Sequence, residues 1–248
     1  RLLPLCLRKM SSSIRGEDLE IDVADSLGEG GFGSVFGGTW NGLPVAIKIL
    51  EERQAGSNPD PLDSTGRGVL LERRYLETIA EWRTSSGLDA EFAVVPLGYC
   101  SAKNAIIMDR FGSSLEKKLG GNLCSEYRVG IALRCVQCVQ HVHEKGIVHR
   151  DIKASNFLVE GSIRNKALKL ADFGLAVRQA GPFRDWTLYG HLPERGGRTR
   201  MYAPPEHQNA ESPLSRLPSC DMYSVGVLLW VVFVDSEDCG MCPDGLQG

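Results

Sequence analysis

Two polar runs constrain this chain more than anything else in it: His149-Arg150-Asp151-Ile152-Lys153-Ala154-Ser155-Asn156 and, a short stretch later, Asp172-Phe173-Gly174. The first holds an Asp that can accept a hydroxyl proton and, further along the same run, an Asn that can hold a metal ion. The second supplies another carboxylate ligand, with a Gly after it that lets the chain turn. Upstream stand Gly28-x-Gly30-x-x-Gly33-x-Val35 and Val45-Ala46-Ile47-Lys48. A glycine turn of that spacing lets backbone N–H groups approach phosphate oxygens without Cβ obstruction. Alone it is a weak signal, because dinucleotide-binding folds share the spacing. There it opens a helix and an acidic residue follows, whereas here Ser34-Val35-Phe36 continues as a strand and the residue that follows is Lys48.

Bulk properties narrow the class. A length of 248 residues allows one large domain or two small ones. Hydrophobic residues at 42% and charged residues at 24% are ordinary for a globular protein. A net charge of -3 argues against bulk nucleic-acid binding, which favours a basic face. The longest apolar stretch, Val225 to Val234, is about half of what a bilayer crossing needs, so no membrane span is expected. Arg1 to Leu7 has the apolar character of a signal peptide, but Arg8-Lys9 follows where a small-residue cleavage site would stand, so export is not expected. Met10 is then expected to be the start, or the chain to be a fragment. Cys135-x-x-Cys138 and Cys239-x-x-Cys242 could supply four thiolates. The first pair sits in a helical pattern (Val129, Ile131, Leu133, Val136, Val139, Val142), where Cys acts as a small buried hydrophobe. The second lies in a Gly/Pro-rich tail. Zinc or a disulfide is not expected, and a reduced cytoplasmic or nuclear compartment fits better.

Along the chain, residues 1–18 read as a flexible or non-native lead-in. Short β-type runs broken by glycines follow from Leu19 to Ile49, with Asn41-Gly42 as a hairpin turn. Glu51 to Gly68 reads as a loop and Val69 to Trp82 as an amphipathic helix. Strands are expected at Ala93–Leu97 and Ala105–Met108, and mainly helix after Leu115. No internal repeat is visible.

In their order, the four motifs resemble the signature set of protein kinases, over roughly Leu27 to Val234. The resemblance implies an α+β, two-lobed kinase fold over residues 19–234: a small β-rich N-lobe with one helix at about 19–108, a hinge at 109–112, and a mostly helical partial C-lobe at 113–234. Residues 235–248 read as an irregular tail. It further implies ATP and magnesium as cofactors and a protein substrate with a Ser or Thr acceptor. Leu27, Gly28, Glu29, Gly30, Gly31, Phe32 and Gly33 would cover the nucleotide phosphates. Val35 and Ala46 would lie above the adenine, Leu158 below it and Met108 beside it as gatekeeper, with Asp109 to Phe111 as the hinge. Asp151 would orient and deprotonate the attacking hydroxyl, Lys153 would contact the γ-phosphate, and Asn156 and Asp172 would hold magnesium.

Lys48 would orient the α- and β-phosphates and needs a carboxylate partner. Glu72 shares a helical face with Val69, Leu76 and Ile79, where a carboxylate is costly unless a cation meets it, so Glu72 is the expected partner. Lys153 resembles the serine/threonine kinases in particular. Thr199-Arg200-Met201-Tyr202-Ala203-Pro204-Pro205-Glu206 resembles the end of an activation segment, with Pro204 where the family has Ala. Arg150 is placed to bind a phosphate there, and Thr187 and Tyr189 are candidate acceptors. Gly28 to Val35 and Asp221 to Gly226 are similar to the tyrosine-kinase-like group; Met108 to Leu115 and Ile152 to Asn156 are similar, more weakly, to the casein-kinase-one and vaccinia-related-kinase group.

Ser224–Val234 is apolar on every face, the pattern of a fully buried helix. The resemblance implies further helices beyond it, so the domain is expected to be truncated at its C-terminus. With only residues 235–248 to cover the helix, the chain is expected to be poorly soluble or to need a partner there. An active kinase, a nucleotide-binding pseudokinase or scaffold, and an inactive truncated fragment are the three readings; every expected catalytic residue is present, which favours the first.

Overall fold

The computed structural model describes residues 14–30, 33–50, 90–119, 123, 125–160, 168–173, 176–178, 200–205 and 218–234. They fall into two compact units, one drawn from 1–90 and 95–110, the other from 91–94 and 111–248. The chain is an α+β protein, with strands dominating the first unit and helices the second. The expected helix Val69–Trp82, the loop before it and the tail after Val234 lie outside the described residues.

The first unit is an antiparallel sheet of β1 (Leu19–Gly30), β2 (Gly33–Trp40), β3 (Leu43–Ile49), β4 (Pro96–Cys100) and β5 (Ala105–Asp109), in the spatial order β1-β2-β3-β5-β4. Trp40 pairs with Leu43 across a two-residue turn, Asn41-Gly42, at φ 50° and 72°. Asn and Gly tolerate that left-handed geometry, which matches the twist of the flanking strands. Side-chain alternation then splits the sheet into two faces. Val45, Ile47 and Ile107 join Ile14, Leu19, Leu97 and Cys100 in the hydrophobic core. Val35 pairs with Lys48 and Gly37 with Ala46; Lys48 and Ala46 pair in turn with Ile106 and Met108, so these residues share the opposite face.

Two expectations are corrected in this region. Residues 14–18 are not a loose lead-in: Ile14 is 3% exposed in the core and its N–H donates to Tyr99 O at 2.8 Å. The strand expected at Ala93–Leu97 forms at Pro96–Cys100. Pro96 opens it, where a missing N–H costs least. Ala93 instead bridges Leu170 in the second unit, flanked by bonds from Val94 N to Leu170 O and from Leu170 N to Phe92 O.

The second unit contains α1 (Leu115–Leu119), α2 (Ser125–Glu144) and α3 (Pro218–Val234). Beside them lie a small sheet of β6 (Ser113–Ser114), β8 (Phe157–Val159) and β9 (Leu168–Leu170), and a pair of β7 (Ile147–Val148) with β10 (Val177–Arg178). α2 buries Ile131, Cys135, Cys138, Val139 and Val142, so both cysteines are core hydrophobes, as their helical pattern predicts. Val129 and Leu133, counted in the same pattern, are instead exposed. Arg134 occupies the intervening core position, with Nε and Nη2 donating to Leu168 O and Glu91 O at 3.2 and 2.6 Å. Its guanidinium lies 4.4 Å from the centre of the Phe92 ring. Gly146 at φ 69° follows the helix and terminates it.

α3 starts at Pro218, a residue preorganised for the first helical position. It is not buried all round. Cys220, Asp221, Ser224, Val225, Leu228 and Val232 form the buried stripe, while Trp230 and Phe233 are 36% and 49% exposed. Periods of three and four bring only that stripe inward. Among the described residues no helix is long and apolar enough to cross a membrane.

Candidate active site

In the first unit the glycine turn is the end of a hairpin. Gly28 pairs with Val35, Glu29 with Ser34, and Gly30 with Gly33; Gly31 and Phe32 lie outside the described residues. Gly28 has open space where a Cβ would be. Gly33 has φ +129°, and a Cβ there would lie 2.0 Å from Ile49 O, so only glycine fits the return of the hairpin onto β3. Leu27 is half-buried on the strand before the turn, and Glu29 is exposed. Strand register brings Val35, Ala46, Lys48 and Met108 onto one face of the sheet, and Lys48 is buried at 7% exposure. Asp109 ends β5. Glu72 lies outside the described residues.

In the second unit a loop between β7 and β8 carries the other expected residues. Asn156 Nδ2 donates to Asp151 O at 2.7 Å and to Asp151 Oδ2 at 2.9 Å. Lys153 Nζ lies 2.9 Å from the same Oδ2. Asp151 is thus oriented through one oxygen by an amide and an ammonium, which leaves its Oδ1 outside this pair of contacts. Both amide hydrogens of Asn156 are used on Asp151, so its Oδ1 is the atom of that side chain able to ligate a cation. Leu158, in β8, is half-buried. Phe111 belongs to this unit, with Lys169 Nζ 5.5 Å from its ring centre.

His149 joins this loop to the Asp172 turn. It is fully buried; its Nε2 lies 3.0 Å from Ala171 O, and its Nδ1 accepts from Asp151 N at 3.3 Å. A carbonyl can only accept, so the proton is on Nε2 and the ring is a neutral spacer of fixed tautomer. Ala171 N donates to Asn156 O at 2.8 Å, and Phe173 meets the His149 ring edge-on at 4.9 Å. Asp172, between these anchors, sits at φ 59°, and Arg150 at φ 68°. Non-glycine residues adopt that region only when their surroundings hold them there.

Arg150 is held by a residue given no role in the sequence reading. Asp221, fully buried on α3, accepts from His149 N and Arg150 N at 2.7 Å each, and its Oδ2 lies 2.8 Å from His143 Nε2. Burial by itself would raise the Asp221 carboxyl, but the bond with His143 and the backbone N–H groups of His149 and Arg150 outweigh it and hold the group below its ordinary value. The signal was legible: a carboxylate inside an apolar helix demands donors, the same reasoning that selected Glu72. Ser224, one turn away, donates to Tyr202 O at 2.7 Å and anchors the turn Arg200–Tyr202. Thr187, Tyr189, Thr199 and Glu206 lie outside the described residues.

The site holds hard oxygen donors suited to magnesium, Asn156 Oδ1 and the Asp172 carboxylate. Among the described residues no group of three or more His, Cys, Asp or Glu is poised to hold a metal. A cation here would therefore complete its shell with water and ligand phosphate oxygens, as magnesium does. The residues fit that ion.

A glycine hairpin, a buried lysine on the adjoining strand, and an Asp held by Asn and Lys in the loop between β7 and β8 are features that the resemblance to protein kinases implies. The protein kinase domain family matches residues 21–240, and the chain belongs to it. It is 29% identical over 221 residues to a mitogen-activated protein kinase kinase kinase of Drosophila melanogaster, covering 85% of this chain and 17% of that protein. It is 30% identical over 220 residues to a probable L-type lectin-domain containing receptor kinase of Arabidopsis thaliana, covering 83% and 29%. Against the serine/threonine-protein kinase mos of Patiria pectinifera it is 28% identical over 230 residues, covering 90% and 59%. The chain thus spans less than two thirds of each of these relatives.

Proposed function

We propose that this domain is an active serine/threonine kinase that transfers the γ-phosphoryl group of ATP to a Ser or Thr hydroxyl of a protein substrate. The observation that carries the reading is the Asp151 carboxylate, held through Oδ2 by Asn156 and Lys153 at 2.9 Å each. A carboxylate oriented in this way can position a hydroxyl and take its proton as the phosphoryl bond forms. Lys153 offers a cation to the transferring group. Lys48, with Glu72 as its expected partner, would orient the α- and β-phosphates beneath the glycine turn from Leu27 to Gly33. Val35, Ala46, Met108, Asp109, Phe111 and Leu158 would bind the adenine. Magnesium, held by Asn156 and Asp172, supplies neutralisation of phosphate charge when bound. Positioning and electrostatics make up most of the catalysis, which fits a site whose residues are so fully cross-braced. The domain would run from about Ile14 to Val234, a reading that the burial of Ile14 in the core supports.

The test is transfer of labelled γ-phosphate from Mg-ATP to a mixed protein substrate, with phosphoamino-acid analysis. Asp151→Asn should lower transfer by about 10²–10⁴-fold while Mg-ATP binding is kept. Nucleotide binding without transfer in the wild type would favour the pseudokinase, and phosphotyrosine as the product would refute the serine/threonine assignment.

A further inference from the structure

β1 loses its regular register with β2 just before the glycine turn, once between Asp22 and Ser26 and again between Ser26 and Gly28. The ladder that elsewhere fixes the strand is interrupted there. Asp25 lies in the interruption, and its Oδ2 accepts from Arg110 Nη1 at 2.5 Å, with side chains 31% and 37% exposed. Arg110 directly follows β5. The two side chains meet over Gly37: a Cβ on Gly37 would lie 1.8 Å from Asp25 Oδ2 and 2.4 Å from Arg110 Nη1. Gly37 is buried and does not have a positive φ, so its backbone does not call for glycine; the ion pair does. Gly37 pairs with Ala46, which places the ion pair over the face that also carries Val35, Lys48 and Met108.

We propose that Asp25 and Arg110 form a tether, passed over the side-chain-free surface of Gly37, that positions the strand entering the glycine turn against the end of β5 and so sets the affinity for nucleotide. The inference rests on the nucleotide-binding reading above. Where the ladder is broken, a side-chain link replaces lost backbone pairing, and its effect falls on binding rather than on the Asp151 chemistry. Gly37→Ala is an informative probe, because the atoms its methyl would strike are the ends of two flexible side chains rather than backbone. It should break the tether and leave both charges in place.

The experiment is calorimetric titration of the full chain with Mg-ATP, alongside kcat and KM for ATP. Asp25→Asn and Gly37→Ala should each weaken binding by about two- to fivefold, the range of a part-exposed ion pair. KM should rise with kcat unchanged, and the paired exchange Asp25→Arg with Arg110→Asp should restore part of the affinity. The wild-type advantage should shrink in about 1 M salt, where such pairs are screened. Equal affinity of wild type and Asp25→Asn, with the wild type binding, overturns the tether and leaves the kinase reading intact. A wild type that melts cooperatively yet does not bind Mg-ATP overturns the nucleotide-binding reading and the tether with it.

Discussion

Asp221→Asn tests whether the loop bearing Asp151 is held from below by α3. The carboxylate presents two oxygens to three partners, at 2.7, 2.7 and 2.8 Å. An amide of the same shape has one oxygen. Whichever way it turns, its NH₂ faces a backbone N–H, of His149 or of Arg150, and leaves that donor without an acceptor. An unsatisfied buried donor costs about 1–3 kcal/mol. For a domain of this size, about 2–4 °C of melting temperature is lost per kcal/mol, so the variant should melt about 2–12 °C lower. Either Arg150, at φ 68°, or its neighbour His149 loses a contact to α3, so turnover should fall along with stability. The effect also has a pH signature. The folded Asp221 carboxyl lies below its unfolded value of 3.8, so its stabilisation is fully present above that value and fades as pH falls through the lower, folded one. Paired urea titrations should show the wild type ahead at neutral pH and the gap narrowing in acid below about pH 4. A variant that melts within a degree of the wild type and retains its turnover would refute the reasoning.

Other consequences are as direct. Gly33→Ala should cost about 1–3 kcal/mol and weaken Mg-ATP binding, because its φ of +129° and the 2.0 Å approach to Ile49 O leave no room for a methyl; an unshifted melt would contradict this. Burial raises the thiol of Cys135 well above its ordinary value and that of Cys138 to about 11. At pH 8 only about one in a thousand Cys138 thiols is then ionised, so peptide mapping should find both cysteines unlabelled by a thiol reagent until urea unfolds the chain. Labelling of the folded protein at a free-thiol rate would show that α2 does not bury them.

The chemistry of this chain is local and the support for it is not. The glycine turn, the hairpin at Asn41-Gly42 and the runs bearing Asp151, Asn156 and Asp172 are readable because each depends on short-range constraints: positive φ, alternation, and a few residue types at close spacing. The same reasoning placed Cys135 and Cys138 in a helix interior. It failed at Ile14 and at Ala93–Leu97, whose places depend on partners far along the chain, Tyr99 and Leu170. It read α3 as apolar on every face and in need of cover, but composition cannot say which stripe of such a helix packs inward and which is left exposed. The neutral tautomer of His149, the anchoring of Arg150 by Asp221 and the ion pair over Gly37 each join residues of different segments. Only tertiary structure could decide them, because a hydrogen bond or an ion pair is set by distances of a few ångströms that sequence separation does not encode.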